Sequence, residues 1–354
     1  MKVVVLGGGA QGRVIAADLA RQLDATVTVA DVRRPELPAL PNLGSVEADL
    51  STVDAVARVI SGHDLAVGAL PSRFGYGVMQ AAIEAKRDLV DVSFCAENPL
   101  ALDAAARAAG VRVLPDCGLA PGLSHLCVGR AAAQGTPDEV MIYVGGVAQD
   151  RAKPYGYVIT WSVEDLEQEY VRPARIVMDG RPMTVPVFSG MERVAIDGVG
   201  EMEAFYSDGL RTLVDTLPGV ATMGEKTLRW PGHVDAVRPL VESGRFVAEF
   251  RARCSAAEPH DLVAMLVRVR HGARESSMTL VDRRDEATGT TAMSRTTALT
   301  TSAVAQLVAA GGVREPGVLP LERIGPDANA YRFITGCLER HGIALRWTER
   351  VVAA

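Results

Sequence analysis

Two short stretches hold the groups best placed to do chemistry. The first, GGGAQG, sets Gly7, Gly9 and Gly12 in G-x-G-x-x-G spacing near the start of the chain. In that spacing the first glycine permits a tight turn and the second lets backbone amides approach a pyrophosphate. The third lets a helix pack closely on a strand. Ala10 and Gln11 would open that helix, whose N-terminus offers partial positive charge to an anion. The second stretch, PDCGLAPGLSHLCVG (115–129), gathers Asp116, Cys117, Ser124 and His125 around three breakers, Gly118, Pro121 and Gly122. A strand-to-helix connection needs only about two to six residues and one or two breakers. This one also carries four groups able to exchange protons or hydrogen bonds.

The elements around them explain the placement. Short apolar runs alternate with helix-like segments over the first 118 residues: KVVVLG (2–7), ATVTVAD (25–31), SVEADL (45–50), DLAVGALP (64–71), RDLVDVSF (87–94) and VRVLPDC (111–117). Continuous apolar strands separated by amphipathic helices imply a Rossmann-type, doubly wound parallel sheet covered on both faces, an α/β domain. GGGAQG then falls between the first strand and the first helix, the context a dinucleotide site requires. Asp31 closes the second strand, 22 residues after Gly9. A carboxylate there accepts hydrogen bonds from the adenosine ribose and repels a 2′-phosphate, which favours NAD. Arg33 and Arg34, just beyond, offer that phosphate a grip instead. Asp49, Leu70 and Pro71, at the ends of the third and fourth strands, complete the expected cofactor contacts.

From about residue 138 the pattern changes. EVMIYVGGV, RPARIVMDGRPMTVPVF, RFVAEFRAR and VAMLVRVRHG read as longer strands with few helices between them, and MDGRP carries an Asp-Gly hairpin signal. Residues 119–300 are therefore expected to form a second α+β domain, for substrate and dimer contacts, on an open, largely antiparallel sheet. Residues 301–354 read as C-terminal helices, SAVAQLVAAGG and YRFITGCLERHG among them, that return to the first domain.

Composition narrows the functions. A net charge of −6, a pI near 5.6 and 5% aromatic residues argue against nucleic acid as a partner. No apolar run is long enough to span a bilayer, and the first strand begins too soon for a secretory signal. Five scattered cysteines without a CxxC fit reduced thiols in the cytoplasm. Six histidines without metal-ligand spacing predict no metal site. No Tyr-x-x-x-Lys pair occurs, so the short-chain reductase arrangement is absent. An open edge on the second sheet predicts a homodimer or higher homo-oligomer.

The chain resembles the saccharopine dehydrogenase-like family, most closely its lysine 6-dehydrogenases. The blocks that carry the resemblance are GGGAQG, DCGLAPGLSH (116–125), WSVEDLEQEYVRPARIVMDGRP (161–182), GEMEAFYSDGLRTL (200–213), EKTLRWPGH (225–233) and TGTTAMSRTT (288–297). It departs at VGGVAQ (144–149), where a Gly-Gly-Leu-Pro-like segment is expected. The resemblance implies NAD-dependent oxidative deamination of the lysine side chain, ending in a piperideine carboxylate. An ammonium cannot expel hydride, so such a reaction needs a base, a group that activates water, and an arginine fork for a carboxylate. Candidates lie at the ends of strands four to six: Arg73 and Tyr76, Ser93 and Glu97, Asp116, Ser124 and His125. Glu97, His125 and Asp116 are the acid–base candidates, and Tyr76 and Ser124 would touch substrate. Arg229 leads for the carboxylate, with His233, Arg172 and Arg175 behind it. Blander roles compete: an Asx turn for Asp116, helix caps for Ser124 and Glu97, and core positions for His125 and Cys117. A saccharopine- or carboxynorspermidine-type reductase using NADP, or a non-catalytic dinucleotide sensor, would fit the same fold.

Overall fold

The computed structural model describes residues 1–352. They fall into two compact units, Met1–Leu126 with Thr296–Arg340, and Cys127–Arg295 with the chain from His341 onward.

The first unit is built on seven parallel strands. These are β1 (Lys2–Leu6), β2 (Thr26–Asp31), β3 (Leu43–Glu47), β4 (Leu65–Gly68), β5 (Asp88–Asp91), β6 (Arg112–Leu114) and the two-residue β15 (Gly317–Val318). Their order is β15-β6-β5-β4-β1-β2-β3. Val3 to Leu6 and Leu65 to Gly68 are buried throughout, as a sheet covered on both faces demands. The order 3-2-1-4-5-6 within it reverses at β1, the point beside which doubly wound sheets bind dinucleotides. β5 and β6 end earlier than their apolar runs, so Val92–Phe94 and Pro115–Cys117 are free to shape a site beyond the strand ends. The chain returns through the helix Ala292–Ala309. There Ser302 donates to the buried Asp18 carboxylate at 2.6 Å, and Gln306 donates to the same oxygen at 3.2 Å. β15 then pairs with β6 at the sheet edge.

The second unit carries a nine-stranded mixed sheet. Its strands are β7 (Glu139–Ala148), β8 (Ala174–Met178), β9 (Arg181–Val185), β10 (Glu192–Ile196), β11 (Gly200–Tyr206), β12 (Thr222–Arg229), β13 (Asp261–His271), β14 (Arg274–Arg283) and β16 (Arg346–Val351). The path runs β10-β11-β12-β7-β13-β14-β16, with β8 beside β12 and β9 beside β8. Among the described residues β7 and β12 are the sheet's one parallel pair. VGGVA lies inside β7, where Gly145 lets the strand approach Leu228 of β12 too closely for a side chain. At the β8–β9 turn Asp179 and Gly180 have φ of 50° and 71°, the paired positive values of a type I′ hairpin.

Two segments differ from their sequence reading. RFVAEFRAR is a helix, Phe246–Arg253, rather than a strand. Its period is four, not two: Phe246 and Phe250 stack at 4.1 Å and are both fully buried. The end of the chain, expected among helices, forms β16 and pairs with β14 in the second sheet.

Candidate active site

The glycine turn has the geometry its spacing predicts. Gly7 adopts φ of 105°, open to glycine at little cost, and an added Cβ would run into the Ala69 carbonyl. At Gly12 a Cβ would overlap the Gly7 carbonyl, so the helix Ala10–Gln22 sits against the strand end with no room for a side chain. Gly9 faces open space. The neighbouring Gln11 Oε1 is buried with no hydrogen-bond partner among the described residues. An open backbone position and a helix N-terminus together fit a pyrophosphate-bearing dinucleotide.

Asp31, half-buried at the end of β2, braces this turn. Its Oδ2 accepts from the Gly8 amide at 2.6 Å and its Oδ1 from the Arg33 amide at 3.1 Å. A carboxylate has about four acceptor positions, so capacity for ribose hydroxyls remains. Arg33 and Arg34 are exposed. Leu70 is half-buried beside Gly7, while the exposed Pro71 precedes the helix Ser72–Glu84. Asp49 is exposed and accepts from the Ser51 amide at 2.9 Å, and its Ser51 bonds hold the carboxyl below its usual range.

A buried polar cluster follows β5 and β6. Asp91 is 1% exposed, and its Oδ1 accepts from both the amide and the hydroxyl of Ser93. Gly68 and Gly75 make the space: a Cβ on either would overlap the Asp91 carboxylate or the Ser93 hydroxyl. The second Asp91 oxygen has no hydrogen-bond partner among the described residues. Burial raises the Asp91 pKa to about 7 against the opposing Ser93 bonds, and nearby Asp116 adds to the rise. Asp116 is buried at a positive φ of 55°, and the Cys117 amide donates to the Asp91 carbonyl at 2.7 Å. Burial, then Asp116, Asp91 and Glu322, push the Cys117 thiol well up, which makes it a poor nucleophile. The helix Leu123–Ala132 begins next, with Ser124 and His125 both buried. Ser124 Oγ has no hydrogen-bond partner among the described residues, so it is not serving as a cap. His125 Nδ1 lies 3.5 Å from Glu322 Oε2.

The structure thus brings Asp116, Ser124 and His125 into one turn and adds two groups that sequence reading missed. Asp91 sits two residues before Ser93 at a strand end, a cue that could have been read. Glu322 lies 197 positions from His125 and gives no local signal. Glu97 is exposed on the loop after β5, and Tyr76 is half-buried against the first core. Arg73 is exposed, its guanidinium 4.4 Å from the centre of the Phe74 ring.

In the second unit, Arg229 and His233 have structural partners that the sequence did not reveal. Arg229, 2% exposed at the end of β12, donates from Nε to Tyr170 at 2.7 Å, from Nη2 to Glu169 at 2.8 Å and from Nη1 to the Leu228 carbonyl at 2.9 Å. Tyr170 also meets His233 Nε2 at 2.9 Å, and His233 Nδ1 meets the Tyr155 carbonyl at 2.7 Å. The bonds are consistent with a neutral ring that donates from Nδ1 and accepts at Nε2. Burial, then the Arg229 charge, lower the His233 pKa to about 3. Arg172 and Arg175 share Asp208, at 3.9 and 2.9 Å.

A parallel sheet of this order with a glycine turn at its switch point defines a dinucleotide-binding α/β protein, here joined to a second unit on a mixed sheet. Residues 3–114 match the saccharopine dehydrogenase NADP binding domain, and residues 118–343 match the saccharopine dehydrogenase C-terminal domain. The chain belongs to the saccharopine dehydrogenase family. It is 27% identical over 257 residues to saccharopine dehydrogenase [NADP(+), L-glutamate-forming] of Saccharomyces cerevisiae, covering 68% of this chain and 58% of that protein. It is 24% identical to the mitochondrial alpha-aminoadipic semialdehyde synthase of Rattus norvegicus, over 69% of this chain and 28% of that one. The chain therefore spans a little over half the length of the first of these relatives and under a third of the second. The apo structure of the yeast L-Glu-forming saccharopine dehydrogenase shares the fold, with a TM-score of 0.77 at 19% identity over 99% of this chain and 100% of that one. Among the described residues no helix is long and apolar enough to cross a membrane.

Proposed function

We propose that this chain catalyses NAD-dependent oxidative deamination of an amino-acid side chain, with lysine the favoured substrate. The observation that carries the cofactor choice is Asp31, a carboxylate at the end of β2 hydrogen-bonded into the glycine turn. Its charge is unfavourable beside a 2′-phosphate and favourable beside ribose hydroxyls. A nicotinamide dinucleotide held at that turn supplies the hydride acceptor. The reaction balances as ammonium, oxidised cofactor and water going to aldehyde, reduced cofactor, ammonium ion and a proton, and the aldehyde then condenses with the α-amine, losing water, to give a piperideine carboxylate.

His125 is the base in this reading. It takes the ammonium proton, leaving the nitrogen lone pair that an imine requires, and later helps activate water. The exposed Glu97 attracts the ammonium, with Asp116 the alternative base. Arg229 holds the substrate carboxylate through its fork, with Arg172 and Arg175 the alternatives.

A second reading, an NADP-linked reductase that joins an amine to a carbonyl, draws on the names of the relatives and on the exposed Arg33 and Arg34 after Asp31. A panel of amines scanned for reduced-cofactor absorbance with NAD and with NADP separates them. The first reading expects lysine with NAD to give the highest rate. Saccharopine turnover with NADP in place of lysine turnover supports the second, and no turnover of any amine contradicts both.

A further inference from the structure

Glu322 has no part in the chemistry described so far, yet it is as buried as His125. The two side chains are 2% and 1% exposed, and they come from segments far apart in sequence. Removing a carboxylate from water is costly unless a cation or a hydrogen-bond donor meets it. The ring of the proposed base faces it, with His125 Nδ1 3.5 Å from Glu322 Oε2, an ion-pair distance longer than a normal hydrogen bond. Glu322 lies in the short helix Leu321–Ile324, where Leu321 and Ile324 are also buried and anchor it in the first unit.

We infer that Glu322 is the positioning residue of His125: it fixes the ring with its proton on Nδ1 and stabilises the imidazolium formed when the ring takes up a proton. The surroundings agree in sign. Asp91 approaches the turn from β5, Asp116 and Cys117 from the segment after β6, and Glu322 from its helix. The Cys117 thiol registers all three carboxyls. From the helix Ala292–Ala309, Thr301 donates to the Cys117 carbonyl at 2.8 Å and the Thr297 methyl lies beside Gly118. An orienting carboxylate behind an imidazole fixes the tautomer and supports the cationic form without itself accepting the proton.

This inference rests on the proposed role of His125, but its first test does not need activity. In 15N-labelled protein, ring-proton correlations assigned with a His125→Asn variant read the tautomer directly. The expected result is the Nδ1–H form in the native chain and a loss of that preference in Glu322→Leu. In the amine assay, Glu322→Gln keeps the size and loses the charge. It should lower kcat on the order of 10²-fold, with the KM for amine within about threefold, and Glu322→Asp should recover part of the loss. An Nε2–H ring in the native protein, or full kcat in Glu322→Gln, overturns the inference even if Glu322→Leu fails to fold. A native chain that oxidises no amine but holds the Nδ1–H ring, with the preference lost in the variant, counts against the proposed function and not against the pairing.

Discussion

The first unit's cluster around Asp91 and His125 and the second unit's cluster around Arg229 and His233 are both buried and polar, and they are built in opposite ways. Around Arg229 the donors and acceptors run in a continuous chain, from Glu169 through Arg229 and Tyr170 to His233 and the Tyr155 carbonyl. Around Asp91 they do not, since one Asp91 oxygen and the Ser124 hydroxyl are buried without hydrogen-bond partners among the described residues. A satisfied network makes a rigid scaffold, whereas buried polar atoms left over mark places where a proton, water or ligand completes the structure. The contrast favours the proposal of proton chemistry in the first cluster and gives the second a rigid, supporting frame. Arg229 meets Tyr170, Glu169 and the Leu228 carbonyl with three of its five N–H groups, and the remaining ones are those proposed for the substrate carboxylate.

The contrast breaks most visibly if Arg229 proves dispensable for folding. Arg229→Met strands the buried Tyr170 and the half-buried Glu169, and should cost about 3 kcal/mol of stability in denaturant unfolding, the lower end for a broken buried ion pair because Glu169 keeps some exposure. A loss below about 1 kcal/mol would mean that the network is not the scaffold described here.

A somewhat smaller effect separates the clusters by the sign of their pH dependence. Asp91 titrates near pH 7 in the fold against 3.8 as a free group. Between those values the unfolded chain has ionised this group while the fold still holds the proton. Stability therefore falls as pH rises from about 4 to about 7 and levels off above, by something on the order of a few kcal/mol. His233 works the other way. Its folded value near 3 lies below the free 6.5, so stability falls as pH drops through that window. Asp91→Asn should flatten the first trend and His233→Gln the second. The same residual slope in both variants would remove the distinction.

The smallest expected effect sharpens the picture within the first unit. Gly12→Ala pushes a methyl into the Gly7 carbonyl and should destabilise by about 1–3 kcal/mol. Gly9→Ala meets open space, so it should leave stability nearly unchanged while weakening dinucleotide binding. Equal thermal stability of the two variants would contradict this account of the turn.

How much of this was readable in the sequence follows from the range of the interactions. Gly7, Gly9, Gly12 and Asp31 lie within 25 residues, and their spacing encodes the turn because a tight backbone approach needs specific residues at fixed offsets. The parallel sheet was equally legible in its continuous apolar runs. Phe246 and Phe250 were misread inside RFVAEFRAR because a short apolar run does not separate a period of four from alternation. Arg229 and His233 looked idle because their partners are 59 to 78 residues away. Glu322 was invisible for the same reason, since only the return of the chain to the first unit brings it to His125.

The central claim is that the first cluster moves protons and the second supports the fold, and His125→Asn tests it most directly. Asparagine keeps a polar side chain of moderate size but loses the imidazole. Steady-state kcat for the amine, measured across pH in the native chain and the variant, should fall by about 10² to 10⁴. Dinucleotide affinity should be nearly unchanged. Native kcat with the same pH profile in the variant would contradict the account, and Asp116 would then be the base to test.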